Sequence, residues 1–385
     1  MFSASDKSTG GLGQALDKHR ALVMWLALFG FLSLFAPNFL TLLNITTLLK
    51  GASLTAIAAI GFTLILILGQ LDLSIGAVVM LSGMLVIGLQ PQLGWPGSML
   101  VAIAAGSTVG LINGLLVVRV RINSFIVTLG TMTIATGLMH LYSGGGSKSI
   151  DDFRVADWLE TPLVPLLPPI VIITLVLVIG SWFLLERTVV GRAIFVVGGN
   201  PETAWLAGLN RDCYLIVGFV LCSTFSAIGG VLFATGLSSM TSAAVLGMRT
   251  LMTVLAAVII GGTLMSGGKG SILKSYFAVL MLNTLFNGIG CYGLGFEVQM
   301  FVNGMILAVV VLYEAYIISR QDLLKGQRPD LINELEEGRF STVGKEKPGF
   351  QVINTTKRLR LLRLTLAALV VIVAITTIYY HYTSK

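Results

Sequence analysis

An acidic residue stands inside a long apolar stretch of the sequence. Asp72 is one of two charged residues between positions 21 and 118, and it shares the polar segment 69–76 with Gln70 and Ser74. A carboxylate within an apolar span is costly and usually faces a bundle interior or a water-filled path. Asp before an apolar run is also a common start of a helix. The pattern therefore predicts a polar path, the capping of a helix, or both.

A short helix with clear start and stop signals is predicted over residues 201–207. Asn200 is a favourable N-cap, Pro201 suits the first helical position, and Glu202 suits the positive end of the helix dipole. Gly208 supplies a left-handed stop. These signals predict a two-turn helix inside a polar loop.

Two large apolar side chains on that short helix, Trp205 and Leu206, have no evident place to be buried. Such residues are too exposed for a loop helix unless it docks. Either the helix enters a groove of a partner protein, or it lies against a membrane interface. The loop that carries it, 186–212, also contains Gly191 and Arg192.

The glycine-rich segment 261–271 resembles a phosphate-binding loop only superficially. A Walker motif needs Gly six positions before its Lys and Ser or Thr directly after it. Here Thr263 precedes Lys269 by six positions and Gly270 follows it. We therefore expect no ATP site in this chain, and we interpret the glycines as permitting close helix approach or a sharp turn.

The elements that must position these residues are apolar helices. Hydrophobic residues make up 55% of the 385 residues and charged residues only 11%, against about 25% charged in ordinary soluble domains. A soluble fold is excluded, and the composition predicts an all-α, polytopic helical membrane protein with about ten core spans. The expected spans are 21–36, 52–69, 73–89, 98–118, 124–142, 163–185, 213–235, 249–264, 272–289 and 297–317, with an eleventh in 364–380.

The distribution of basic residues predicts the orientation and the organisation of the chain. Of the 25 Lys and Arg, 20 fall in segments that a cytoplasmic N-terminus places inside, as expected for membrane proteins. The net charge of +7 therefore indicates membrane topology, and no nucleic-acid partner is expected. The predicted regions are a cytoplasmic N-terminus (1–20), a membrane domain (21–318), a charged cytoplasmic segment (319–363) and an extra span with its tail (364–385).

Five ordered motifs carry a resemblance to a known family: 72–76, 123–131, 191–202, 207–209 and 261–271. Over residues 20–320, roughly, the chain resembles the permease subunit of ATP-binding-cassette (ABC) importers for simple sugars of the ribose, galactose and xylose type. The resemblance implies that the helix at 201–207 is a coupling helix seated in a cleft of an ATPase subunit.

The resemblance also implies partners and cofactors. A separate ABC ATPase would bind ATP and Mg, so that this chain needs no cofactor and is not an enzyme. An extracytoplasmic binding protein would deliver the solute, and a second permease chain, identical or different, would complete the path in the lipid of a bacterial inner membrane. The residues expected to couple to the ATPase are Gly191, Arg192, Asn200, Pro201, Glu202, Trp205, Leu206 and Gly208.

The resemblance further implies that the binding protein supplies most of the selectivity, so we expect the substrate contacts along the path to be few and polar. The expected path residues are Gln70, Asp72, Ser74, Asn123, Thr128, Asn283 and Asn287. Each asparagine has an alternative role as an interhelical hydrogen bond.

Alternative functions and one departure from the family pattern stay open. The solute is a monosaccharide in the first interpretation, and a nucleoside, an inositol or an autoinducer-type molecule in the second. An ion-coupled secondary transporter is disfavoured, because it requires ion-coupling carboxylates within its spans. Apart from Asp72, only Glu297 and Glu314 are available for this role, and both lie near span ends. Arg249 stands where the family usually has acidic residues, either altering substrate or binding-protein preference or snorkelling at a helix end.

Overall fold

The computed structural model describes residues 20–164, 166–242 and 244–326, with side chains described as far as residue 313. The predicted N-terminal segment before Arg20, the part of the charged segment beyond residue 326 and the eleventh span lie outside the described residues. The chain divides into two compact units, Met1–Gly304 and Met305–Lys385. Within the second unit, the described residues are helical.

Helices dominate the described residues, which confirms the predicted all-α class. The elements in chain order are α1 (Arg20–Phe35), α2 (Leu42–Ile67), α3 (Ile75–Val118), α4 (Ser124–Ser143), β1 (Ser147–Ser149), α5 (Arg154–Glu160), α6 (Pro169–Arg187), α7 (Val189–Gly199), α8 (Pro201–Leu206), α9 (Arg211–Leu237), β2 (Ser239–Thr241), α10 (Ala244–Ile260), α11 (Ile272–Cys291) and α12 (Phe296–Gly326). Seven described helices, α2, α3, α4, α6, α9, α11 and α12, are long and apolar enough to cross a membrane.

Each of the ten spans predicted up to residue 317 overlaps a helix, but several bounds differ. Helix α3 covers two predicted spans. It is kinked between them at Gly94, whose backbone (φ 66°, ψ 178°) is not helical. The span predicted over 52–69 begins ten residues earlier, at Leu42, because the Thr41 side chain accepts a hydrogen bond from the Asn44 amide. The loop 186–212 contains α7 as well as the predicted short helix.

Helix α2 forms the buried centre of the first unit, and every residue from Ala52 to Leu68 is buried. Its neighbours include α9, α10 and α11. Small residues allow this close packing: a Cβ added at Gly61 would lie 2.8 Å from the backbone of Cys222 in α9. Interfaces of this kind are common in membranes, where association depends on van der Waals contact more than on the exclusion of water.

Helices α3 and α9 pack through a row of glycines spaced four residues apart. Gly106, Gly110 and Gly114 face α9, and a Cβ at Gly110 would lie 2.5 Å from the Phe219 carbonyl oxygen. Residues four apart share one face of a helix. The row therefore lets the backbones of the two helices approach directly.

The two ends of the bundle are built differently. At one end, called the strand end, β1 pairs antiparallel with β2, and Lys50 of α2 forms an ion pair with Glu160 of α5. Asp152 accepts hydrogen bonds from the Arg154 side chain, which lowers the pKa of the Asp152 carboxyl. The opposite end, called the turn end, contains the loops 68–74, 119–123, 188–210 and 261–271.

Candidate coupling helix and polar turn

The short helix α8 has the predicted start and stop. The Asn200 side-chain oxygen accepts hydrogen bonds from the amides of Glu202 (2.9 Å) and Thr203 (3.1 Å). At the other end, Gly208 adopts φ +71°. Its amide donates to the Trp205 carbonyl at 2.9 Å, and the following amide, of residue 209, donates to the carbonyl of residue 204 at 3.0 Å. This pair of bonds is the Schellman motif, so α8 is a fixed two-turn element.

The apolar face of α8 is open to its surroundings. Trp205 is 78% exposed and Leu206 77% exposed, whereas Ala204 on the opposite side is fully buried. Glu202, at the N-terminal end of the helix, is also exposed. The helix therefore leans on its own chain through a small residue and presents a tryptophan–leucine pair outward.

Helix α7, which the sequence analysis did not predict, connects α8 to the bundle. Its N-cap is Thr188, whose hydroxyl accepts a hydrogen bond from the Gly191 amide at 3.1 Å. Gly191 is buried, and a Cβ there would collide with the Leu185 carbonyl oxygen of α6. Arg192, the next residue, is exposed. The glycine thus allows the chain to turn tightly from α6 into α7.

The C-terminal end of α7 lies against two other glycine turns. A Cβ at Gly198 would collide with the carbonyl oxygen of Ile67, the last residue of α2. The Gly268 amide donates a hydrogen bond to the same carbonyl at 2.8 Å. Gly69 and Gly267, with φ of +74° and +83°, complete the contact. We call these residues, with Gly199, the glycine junction.

The glycine junction explains why the segment 261–271 is rich in glycine. As predicted, its glycines serve close approach and a sharp turn: Gly262 has φ +91°, and a Cβ at Gly261 would lie 2.8 Å from the backbone of Ser275. Through this segment the end of α10 and the start of α11 meet the C-terminal end of α7. Backbone contacts at the glycine junction therefore join the chain just before α8 to α2, α10 and α11.

The Asp72 carboxylate is 0% exposed and lies in a hydrogen-bonded network at the turn end. Its Oδ1 accepts from the Ser74 amide (2.9 Å) and the Ser74 hydroxyl (2.5 Å). The Ser223 hydroxyl of α9 donates to Oδ2 at 3.4 Å, and the Asn113 side chain of α3 donates to the Ser74 hydroxyl oxygen at 3.0 Å. No cation pairs with Asp72 among the described side chains.

The network assigns Asp72 a local structural role that differs in detail from helix capping. Ser74 is the N-cap of α3, and Asp72 bonds the Ser74 amide rather than an amide of the first helical turn. The carboxylate thus shapes the turn that precedes the helix. Ser223, which bonds Asp72, and Asn113, which bonds Ser74, were not identified from the sequence, because only the fold brings them to this turn.

The remaining predicted path residues fall into two separate groups. Gln70 is partly exposed near Asp72, the Asn123 side chain caps α4 by accepting from the Phe125 amide at 2.9 Å, and Thr128 is buried. Asn283 and Asn287 instead lie on α11 beside the first half of α2. At 1.5 Å per residue, the end of α2 lies about 24 Å from the level of Asn283 and about 35 Å from that of Asn287.

Asn287 forms an interhelical hydrogen bond, which is the role predicted for the asparagines as an alternative to facing the path. Its amide exchanges two bonds with Asn44 of α2, at 2.8 and 2.9 Å. Asn283 donates to the Val279 carbonyl of its own helix at 3.0 Å. The structure therefore brings five of the seven predicted path residues to the turn end and leaves two on α11.

A bundle in which seven described helices are long and apolar enough to cross a membrane defines a multi-pass membrane protein. Residues 44–311 match the family model described as "Branched-chain amino acid transport system / permease component". The chain belongs to this permease family.

Curated relatives cover most of the chain. It is 30% identical over 306 residues to the ribose import permease protein RbsC of Escherichia coli (strain K12), covering 78% of this chain and 94% of the relative. It is 32% identical over 327 residues to the L-arabinose ABC transporter permease protein AraH of Azospirillum brasilense, covering 84% and 94%. RbsC of Bacillus subtilis (strain 168) is 32% identical over 294 residues, covering 73% and 88%. No solved structure gave a significant match.

Proposed function

We propose that this chain is the permease subunit of an ABC importer and forms the path for a monosaccharide. The similarity to ribose and arabinose permeases over most of both chains supports the sugar. The observation that carries the mechanism is α8, a capped helix that exposes Trp205 and Leu206 at the turn end. This exposed pair fits a groove of a separate ATPase subunit.

In this proposal the work of ATP is done outside the chain. ATP and Mg bind the ATPase, and this subunit contributes no enzyme activity and no cofactor site of its own. When nucleotide binding moves the ATPase, α8 moves with it, and the glycine junction passes the motion to α2, α10 and α11. Because α2 is buried among its neighbours, its displacement changes access to the path.

The rest of the assembly follows from the same proposal. The turn end faces the cytoplasm of a bacterium, together with the N-terminus, and the strand end faces an extracytoplasmic binding protein. A second permease chain completes the path within the inner membrane. We propose that the solute contacts three predicted path residues, Gln70, Asn123 and Asn283, none of which is buried.

Reconstitution tests the proposal. The full chain, its ATPase and its binding protein are placed in lipid vesicles, and ATP hydrolysis and sugar uptake are measured with ribose, arabinose, a nucleoside and inositol. We expect ATP-dependent uptake of a monosaccharide that stimulates hydrolysis. If only the nucleoside or inositol stimulates ATP hydrolysis, that compound replaces the monosaccharide as the proposed substrate. Uphill uptake by vesicles without the ATPase would contradict the importer mechanism and favour an ion-coupled transporter.

A further inference from the structure

Arg249 of α10 is held between three helices near the strand end. Its guanidinium carbon lies 5.5 Å from the ring centroid of Phe286 in α11 and 5.0 Å from that of Phe296 in α12. Its Nη2 donates a hydrogen bond to the Gln299 side-chain oxygen at 2.6 Å. Two aromatic rings and an amide therefore fix the direction of this charge.

No carboxylate neutralises Arg249 in the described part of the chain. The ion pairs found there are Lys50–Glu160 and Arg154–Asp152. Glu297, close to Gln299 in sequence, is exposed and is not within ion-pairing distance of the guanidinium. Arg249 is the sixth residue of α10, in the second turn of that helix.

We expect the Arg249 guanidinium to face the bundle interior. A charged group among membrane-spanning helices faces the bundle interior or a water-filled cavity, because its exposure to hydrocarbon is costly. Arg249 is only partly buried, and most of its five N–H donors remain available beyond the single bond to Gln299. The structure therefore leaves a fixed cation with unused donors near the strand end.

Two further polar residues lie one helical turn deeper. The Thr253 hydroxyl donates to the Arg249 carbonyl at 2.9 Å and accepts from the Asn303 side-chain amide at 3.0 Å. Asn303 is 3% exposed, and its Oδ1 has no hydrogen-bond partner. We call Arg249, Gln299, Thr253 and Asn303 the polar seam. Its inner end is a buried acceptor that lacks a donor, which is costly unless a ligand supplies one.

We propose that the polar seam binds a monosaccharide that carries a carboxylate, such as a uronic or aldonic acid. The carboxylate pairs with Arg249, for which the flat guanidinium is suited, and a sugar hydroxyl donates to Asn303. A neutral sugar leaves the cation unpaired. An amino acid brings an ammonium group, for which the polar seam has no carboxylate.

This inference rests on the proposed sugar import and narrows its substrate class. The strand end is where the proposed binding protein releases the solute, so Arg249 meets the solute on entry. The four residues of the polar seam lie at corresponding turns of α10 and α12, with positions 249 and 253 facing 299 and 303. Arg249 and Asn303 thus offer a charge and an acceptor one turn apart.

The test uses the full chain and four probes: glucuronate, glucose, ribonate and ribose. Binding to the purified permease is measured by equilibrium dialysis, and uptake is measured in vesicles with the ATPase and binding protein. The variants are Arg249→Gln, Arg249→Lys and the control Arg154→Gln, which removes a positive charge from the exposed strand-end loop. Gel filtration and thermal unfolding verify that each variant is folded.

We expect the permease to bind at least one sugar acid more tightly than its neutral counterpart. Arg249→Gln should weaken that binding by about 10- to 100-fold, the size expected for a lost hydrogen bond to a charged group. Arg249→Lys should retain part of the affinity, and Arg154→Gln should retain all of it. The affinity for neutral sugars should not change in any variant.

Other results separate the inference from the proposed function. ATP-dependent import of neutral sugars without binding or import of either acid would overturn the inference and leave the importer intact. If Arg249→Gln lowers the uptake of every solute equally and excess binding protein restores it, Arg249 contacts an acidic surface of that protein. That result would overturn the inference. Failure to import any sugar would overturn the proposed function, and the sugar-acid site with it.

Discussion

The turn end combines two regions that invert the usual distribution of side chains. Helix α8 exposes Trp205 and Leu206, while the turn before α3 buries the carboxylate of Asp72. Large apolar residues normally lie inside a protein, and charges are rarely buried without a partner. The buried carboxylate is satisfied by hydrogen bonds from its own chain. Trp205 is 78% exposed and has no comparable support among the described residues.

This difference separates a contact surface from an internal support. At about 25 cal/mol per Å², covering the roughly 150–250 Å² of a tryptophan is a gross gain of about 4–6 kcal/mol, from which the costs of association are subtracted. The bonds to Asp72 instead hold one turn in one shape. Changes at α8 should therefore disrupt assembly, whereas changes at Asp72 should disrupt stability.

The largest effect is expected at the exposed surface. Trp205→Arg places a charge where an apolar ring should enter the ATPase groove, so ATP-dependent uptake should be abolished and the ATPase should no longer co-purify. The control is Trp158→Arg, which alters an exposed tryptophan of α5 at the strand end and should leave co-purification unchanged. If the Trp205 variant keeps both its ATPase and wild-type uptake, α8 is not the contact surface.

A second prediction concerns the connection between α8 and the bundle. Gly198→Ala forces a methyl group against the Ile67 carbonyl and must shift α7 away from α2. Because the face of α8 is unchanged, the ATPase should still bind, but uptake per ATP hydrolysed should fall by an order of magnitude or more. Gly130→Ala in α4, where no atom lies within 4 Å of the added methyl, is the matched control. Unchanged coupling in Gly198→Ala would show that motion bypasses the glycine junction.

The smallest effect is expected at the buried carboxylate, and it differs between two variants. Asp72→Asn keeps an acceptor for the Ser74 amide, whereas Asp72→Ala leaves several buried groups unpaired and should destabilise the fold by about 1–3 kcal/mol. Thermal unfolding and uptake are measured on both. We expect the asparagine variant to transport well. Lost transport with normal unfolding would instead show that the charge acts in the path.

The sequence predicted elements that depend on local signals. Asn200, Pro201 and Gly208 define α8 through bonds within a few residues. The apolar runs likewise predicted the helices. In both cases the physical cause lies in the segment itself, either in the orphan groups of a helix end or in the burial of a continuous stretch.

Other features depend on contacts between distant segments and were missed for that reason. Helix α7 contains β-branched residues and glycines, which favour helices weakly, and its conformation depends on contacts with α2, α6 and α9. Ser223 lies 151 residues from Asp72, and Asn113 lies 39 residues from Ser74, to which it donates. The sequence also could not show that Asn287 faces Asn44, 243 residues away.

The short ladder between β1 and β2 has a mechanical consequence. It fastens the chain just after α4 to the chain just after α9, and the amide of Ile150 extends this contact to the Ser238 carbonyl. These helices are thereby anchored at the far side from α8. If α8 transmits motion as proposed, a push there should tilt these helices about a fixed pivot at the strand end, so that the turn end moves further than the strand end.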